Sequence, residues 1–162
     1  MSFPSPNTYF LKHGPLKGRK ISTASCKAAR DQATLAKLQI DHIIGIGRTK
    51  EKVEQMKKEK LPCKRETILL AEKSMWGYSP FFKVLDAACK HKNLLVHCSA
   101  GLTRSPITTQ CVLKALGYPI GAEAETRIAR YIDNGRIPPD INAKLTARAQ
   151  SKFQEVRKAT KC

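Results

Sequence analysis

The chain has 162 residues, 41% of them hydrophobic and 27% charged, enough for one packed domain and too few for two ordinary ones. No apolar run approaches the length of a membrane span. The opening MSFPSPNTYF lacks a signal-peptide pattern, so the six cysteines point to free thiols in an intracellular compartment, cytoplasm or nucleus, rather than to a secreted disulfide scaffold. The net charge of +17, from 30 Lys+Arg against 13 Asp+Glu, favours polyanionic partners: phosphorylated proteins, nucleic acid or acidic lipid headgroups. Part of that charge is ordinary solubility, as in Lys50–Lys60 (KEKVEQMKKEK).

In chain order, residues 1–15 carry Pro4, Pro6, Gly14 and Pro15 and read as an irregular arm before a single domain over 16–157, with a short tail at 158–162. Lys20–Ala24 is a short strand. Ser25 caps a helix over Lys27–Leu38, in which Ala28, Ala29, Leu35 and Leu38 fall near helical spacing. Ile40–Ile46 (IDHIIGI) reads as a buried strand, Lys50–Lys60 as a helix stopped by Pro62, and Glu66–Leu70 (ETILL) as another buried strand. Ala71–Ser79 is a loop carrying the sole tryptophan, Trp76, and Ser79 caps a helix over Pro80–His91.

Asn93–His97 is the next strand, and Ser105–Leu116 the helix after it, stopped by Gly117. Two further helices, Glu123–Asp133 and Asn142–Arg157, flank the breaker segment Asn134–Asp140. Strands alternate with helices and then helices dominate. That order implies an α/β fold, a mainly parallel central sheet flanked by helices, with ligands at the carboxyl ends of the strands.

Leu94–Pro106, LLVHCSAGLTRSP, is the stretch with chemistry in it. An apolar strand ends at His97-Cys98, a short loop follows, and Arg104 opens a helix. A thiol so placed faces a helix amino terminus and a nearby cation, which together favour the nucleophilic thiolate. Backbone N–H groups of Ser99, Ala100, Gly101, Leu102 and Thr103 are spaced to wrap the oxygens of a phosphate. Gly101 permits the tight turn, and the planar fork of Arg104 closes the ring on two oxygens. Ser105 is placed to donate to the sulfur when it leaves. A bare Cys-x5-Arg is a weak signal; His97, Gly101, Ser105 and the strand–helix context make it specific.

HCSAGLTRS in this setting resembles the active-site loop of the cysteine-dependent protein phosphatases, in a form closest to the dual-specificity group. LAKLQIDHIIGI and GRIPPDINAKL resemble outer segments of that family more loosely, with Asp140 where the family usually has Asn. The resemblance implies a hydrolase that removes phosphate from phosphotyrosine and phosphoserine/threonine in proteins through a phosphocysteine, with no metal or other cofactor. It implies that Cys98 is the nucleophile and that Arg104 binds phosphate. It also implies that His97 orients the loop without touching substrate.

The family's general acid is an Asp on the loop after the strand matching Glu66–Leu70; here Glu72 stands there, and a carboxylate of either kind can shuttle the proton. Asp86 is the remaining acid candidate, though helical spacing makes it a surface partner for Lys90. A zinc site from His97, Cys98, Cys89 and His91 has no repeated ligand pair to recommend it. One of Cys26, Cys63, Cys89 and Cys111 would be the partner of an oxidised Cys98. Arg127 and Arg130 are either a phosphate-attracting rim or solvated surface, and Trp76 and Tyr78 either wall the pocket or pin the acid loop. Two other readings keep the loop: an RNA 5′-triphosphatase or phosphoinositide phosphatase, suited to the basic charge, and a weakly active phosphate-binding module.

Overall fold

The computed structural model describes residues 7–71, 75–99 and 103–160, with side chains through 155. Its strands are β1 (Asn7–Phe10), β2 (Lys20–Ser25), β3 (His42–Gly47), β4 (Arg65–Leu69) and β5 (Asn93–Cys98). They form one sheet in the order β1-β2-β5-β3-β4, parallel except for β1, which runs antiparallel to β2. Apolar runs occupy the interior strands because both faces of a parallel sheet are covered. Thus β5, which has neighbours on both sides, is buried from Leu94 to Cys98.

Helices α1 (Cys26–Arg30), α2 (Gln32–Lys37) and α3 (Lys50–Lys58) cover one face, and α4 (Ser79–Lys90), α5 (Arg104–Ala115), α6 (Ala122–Asp133) and α7 (Ile141–Thr160) pack together on the other. The α4–α7 face carries the main core, including Phe81, Val84, Leu85, Val112 and Leu145. The opposite face carries a small one of Ala24, Ala28, Ala29, Leu35, Ile43 and Leu95. The expected α/β architecture is therefore the observed one, and among the described residues no helix is long and apolar enough to cross a membrane.

Several local features differ from the sequence expectation. The strand expected to be buried over Glu66–Leu70 is the edge strand β4, with Ile68 buried and Leu69 exposed. The helix expected over Lys27–Leu38 is two short helices, because the Asp31 side chain accepts from Thr34 N at 3.1 Å and Thr34 Oγ1 at 2.5 Å. That cap offers the backbone an alternative to a continuous helix. Ser25 caps α1 as expected, accepting from Ala28 N. Asn7–Phe10, inside the segment read as an irregular arm, is an edge strand held by backbone pairing to β2, and Leu11 and Leu16 beyond it are buried. Finally, α4 begins one residue earlier than expected, with Tyr78 rather than Ser79 at the cap position and no side-chain cap.

Candidate active site

Cys98 is the last residue of β5, and α5 begins at Arg104. The sulfur is buried, the residue only 3% exposed, with Ser105 Oγ 3.3 Å away. The same hydroxyl reaches the Ala24 carbonyl at 3.5 Å, a weak bond at best. A hydroxyl has one proton, so these contacts exchange with the state of the sulfur. A thiol donates to Oγ, which then points at Ala24; a thiolate draws the hydroxyl proton to itself.

Thr103, at the cap position of α5, makes no side-chain cap, whereas Ser25, Asp31 and Thr49 each cap their helices. The first amides of α5 thus keep their donors for a ligand at the sulfur's end of the strand.

Arg104 is held by its Nε, which donates to the Leu70 carbonyl at 3.2 Å. Leu70 is in turn fixed by its own N–H to Gly47 O at 2.9 Å. Among the described residues nothing holds the two terminal nitrogens of Arg104, so the fork is available to an anion. The base of the loop is fastened to the neighbouring strand: Ser25 lies opposite Cys98 in the parallel register, and Cys26 N donates to Ser99 O at 3.1 Å.

His97 points to the other face of the sheet from the main core. It is fully buried, its Nδ1 lies 3.7 Å from Cys26 Sγ, and its Nε2 has no partner among the described residues. Burial, aided by the Arg65 guanidinium, pushes its pKa down to about 4, so the ring is neutral at physiological pH. The space it fills exists because residue 45 is glycine: a Cβ there would stand 2.8 Å from His97 Nε2 and 3.1 Å from the Arg65 side chain. The neighbouring strand therefore supports the loop's histidine by having no side chain.

Of the sequence-derived site residues, the structure brings together Cys98, Arg104, Ser105 and His97, along with Ser99 and Thr103 at the two ends of the loop. Ala100, Gly101, Leu102 and Glu72 lie outside the described residues. The segment flanking Glu72 is pinned: Trp76 Nε1 donates to Ala71 O at 3.3 Å and Trp76 N to Arg136 O at 2.8 Å, with the indole against Phe81 and Tyr131. Trp76 is an anchor, and Tyr78 donates to Asp140 Oδ1 at 2.5 Å, joining the same loop to the start of α7.

One expectation about a charged group is corrected, and the open choice for Arg127 and Arg130 falls to the surface reading. Asp86 is not a partner of Lys90; both its oxygens are taken by Arg148, at 2.8 Å and 2.6 Å, and that guanidinium lies over the Phe82 ring. The contact spans 62 residues, beyond any local spacing rule. Arg127 is paired with Glu123 one turn away, and Arg127 and Arg130 line a groove on α6 rather than the cavity beside Ser99 and Arg104.

Among the remaining thiols, burial pushes Cys89 up to about 11 and Cys111 up to about 12, and both lie on the α4–α7 side. Burial also raises Cys26, the one thiol of the four to line the cavity with Ser99 and Arg104. Sequence reasoning missed Gly45 and Arg65, which surround His97 only because β3 lies beside β5 and β4 beside β3.

No family model matches the sequence, and no curated protein matches it either. Solved structures do. DUSP15 superposes with a TM-score of 0.53 at 17% identity, over 85% of this chain and 90% of that one. A leucine rich repeat and phosphatase domain containing protein from Entamoeba histolytica gives 0.52 at 12% identity, over 93% and 94%. The human tyrosine phosphatase-like serine/threonine/tyrosine-interacting protein gives 0.50 at 16%, over 88% and 93%. The chain has the fold of the dual-specificity phosphatases.

Proposed function

We propose that the chain is a cysteine-dependent phosphatase acting on phosphotyrosine and phosphoserine/threonine in proteins. The observation that carries this reading is the placing of Cys98 Sγ 3.3 Å from Ser105 Oγ, at the mouth of an uncapped helix whose first residue is Arg104. Cys98 as thiolate attacks phosphorus in line, and the P–O bond to the leaving group breaks as the P–S bond forms. The loop amides and the Arg104 fork stabilise the three equatorial oxygens. Glu72 protonates the leaving oxygen. It then takes a proton from the water that attacks the phosphocysteine, releasing inorganic phosphate while Ser105 donates to the departing sulfur. No step requires a metal.

The test is turnover of an aryl phosphate by the wild type beside Cys98→Ser, Glu72→Gln and Asp86→Asn. Loss of turnover to the uncatalysed level in Cys98→Ser, a fall in kcat of about 10²-fold or more in Glu72→Gln, and little change in Asp86→Asn are expected. Equal, negligible rates in wild type and Cys98→Ser, with phosphopeptide binding retained, would replace the enzyme by a phosphate-binding module.

A further inference from the structure

Cys26 opens α1 beside the end of β5, and it touches the chain on both sides of Cys98. Its sulfur lies 3.7 Å from Nδ1 of His97, the residue before. Its backbone N–H donates at 3.1 Å to the carbonyl of Ser99, the residue after. Ser25, immediately upstream, is paired with Cys98 itself in the parallel register. The His97 ring is in turn hydrogen-bonded to the Cys98 backbone. Cys26, the ring and the backbone of the thiol-bearing residue therefore form one connected set.

A neutral imidazole carries one ring proton, and its surroundings decide which nitrogen holds it. Nε2 is buried and without a partner among the described residues, 2.8 Å from where a Cβ on residue 45 would stand. Gly45 directs an α-hydrogen along that line, which suits a lone pair and opposes an N–H. A buried N–H without an acceptor is also rarer in folded proteins than an acceptor left bare. The proton therefore belongs on Nδ1, where the Cys26 sulfur can accept it. The pair is not a second nucleophile with its base. Burial leaves the ring, with its pKa of about 4, too weak a base, and burial also raises the Cys26 thiol.

We propose that Cys26 is a positioning residue: its sulfur accepts the Nδ1 proton of His97, fixes the tautomer and plane of the ring, and through the ring holds the backbone of Cys98. The assignment rests on reading Cys98 as the nucleophile of a phosphatase. A backbone held this way keeps the Cys98 sulfur aimed at the amino terminus of α5, whose field favours the thiolate. Cys26 acts from the opposite face of the sheet to Ser105, which touches the sulfur directly. The two contacts divide the work, one on the sulfur and one on the backbone that carries it.

The experiment compares the wild type with Cys26→Ser, which keeps an acceptor, and with Cys26→Val and Cys26→Ala, which do not. One readout is the nitrogen chemical shifts of the His97 ring, which report the tautomer. The other is the pH dependence of Cys98 alkylation by iodoacetamide, followed on the Cys98 peptide by mass spectrometry. The wild type is expected to hold its ring proton on Nδ1. Cys26→Val is expected to admit the other tautomer and to raise the alkylation midpoint by up to about one pH unit, tenfold less thiolate at a given pH. Cys26→Ser restores most of both. Should Cys26→Val fail to fold, Cys26→Ala, which only removes an atom, carries the comparison. A wild-type ring protonated on Nε2 overturns the proposal. So does a midpoint that the valine and alanine variants leave unchanged, or that Cys26→Ser shifts as far as they do. A wild-type Cys98 that titrates as an ordinary thiol, with Nδ1 protonated and that tautomer lost in Cys26→Val, overturns the phosphatase reading and upholds the hold of Cys26 on the ring.

Discussion

The two faces of the sheet solve different problems. On the α4–α7 face, Phe81, Val84, Leu85 and Leu145 are completely buried in one large apolar cluster. On the α1–α3 face the apolar cluster is small and rich in alanine, and beside it sit buried His97, nearly buried Arg65, and the Glu59 carboxylate shared by two arginines. The first face supplies most of the hydrophobic stabilisation, which scales with apolar area removed from water. The second gives up some of that to hold polar groups at the carboxyl ends of β3 and β5, where the thiol and the cavity beside it lie. Local stability is not uniform across a fold, and segments that meet ligands are drawn from its weaker part.

Truncation gives the most direct way to break this contrast. Phe81→Ala is expected to destabilise the chain by about 3–5 kcal/mol, read from the urea midpoint at constant m-value. Leu35→Ala, amid alanines that can close on the gap, belongs at the lower end of its class, about 2 kcal/mol. Equal costs at the two positions would end the distinction between a thick and a thin face.

Acid is the next probe. The His97 pKa falls from 6.5 to about 4 on folding, so between those values the unfolded chain binds a proton that the folded chain does not. The unfolded state therefore gains stability as pH falls. The stability associated with neutral His97 is complete above about pH 6.5 and is lost on acidification toward pH 4. At one pKa unit per 1.36 kcal/mol this amounts to about 3 kcal/mol. Urea unfolding of wild type and His97→Asn across that window should give converging stabilities as pH drops. Parallel curves would show that the ring is not held neutral by burial.

A smaller effect is expected from Gly45→Ala, about 1–3 kcal/mol of overpacking. The new methyl would push on His97 and Arg65, so aryl-phosphate turnover should fall along with stability. Stability lost with turnover intact would detach His97 from the support of the loop.

The likeness of this site to its sequence reading follows from how local the chemistry is. Cys98, Arg104 and Ser105 sit within one strand–loop–helix unit, so spacing alone brings them together. Ser25 as a cap is legible for the same reason, since its bond reaches only three residues ahead. The Asp31 break was harder, because the same residues also satisfy a continuous helical pattern and one side-chain bond tips the balance. β1 escaped notice because an edge strand held by backbone pairing needs no strong apolar alternation.

What the chain of residues determined by itself was the alternation of strands and helices, the thiol at a strand's end and the arginine that follows it. Periodicity and short-range capping encode these in neighbouring positions. Tertiary structure alone decided that β3 lies beside β5, so that Gly45 makes room for His97. It also decided that Asp86 belongs to Arg148, and that Cys26 meets the ring of His97. Those relations depend on strand order and helix packing, which bring distant residues together by burying the apolar faces of the whole chain at once.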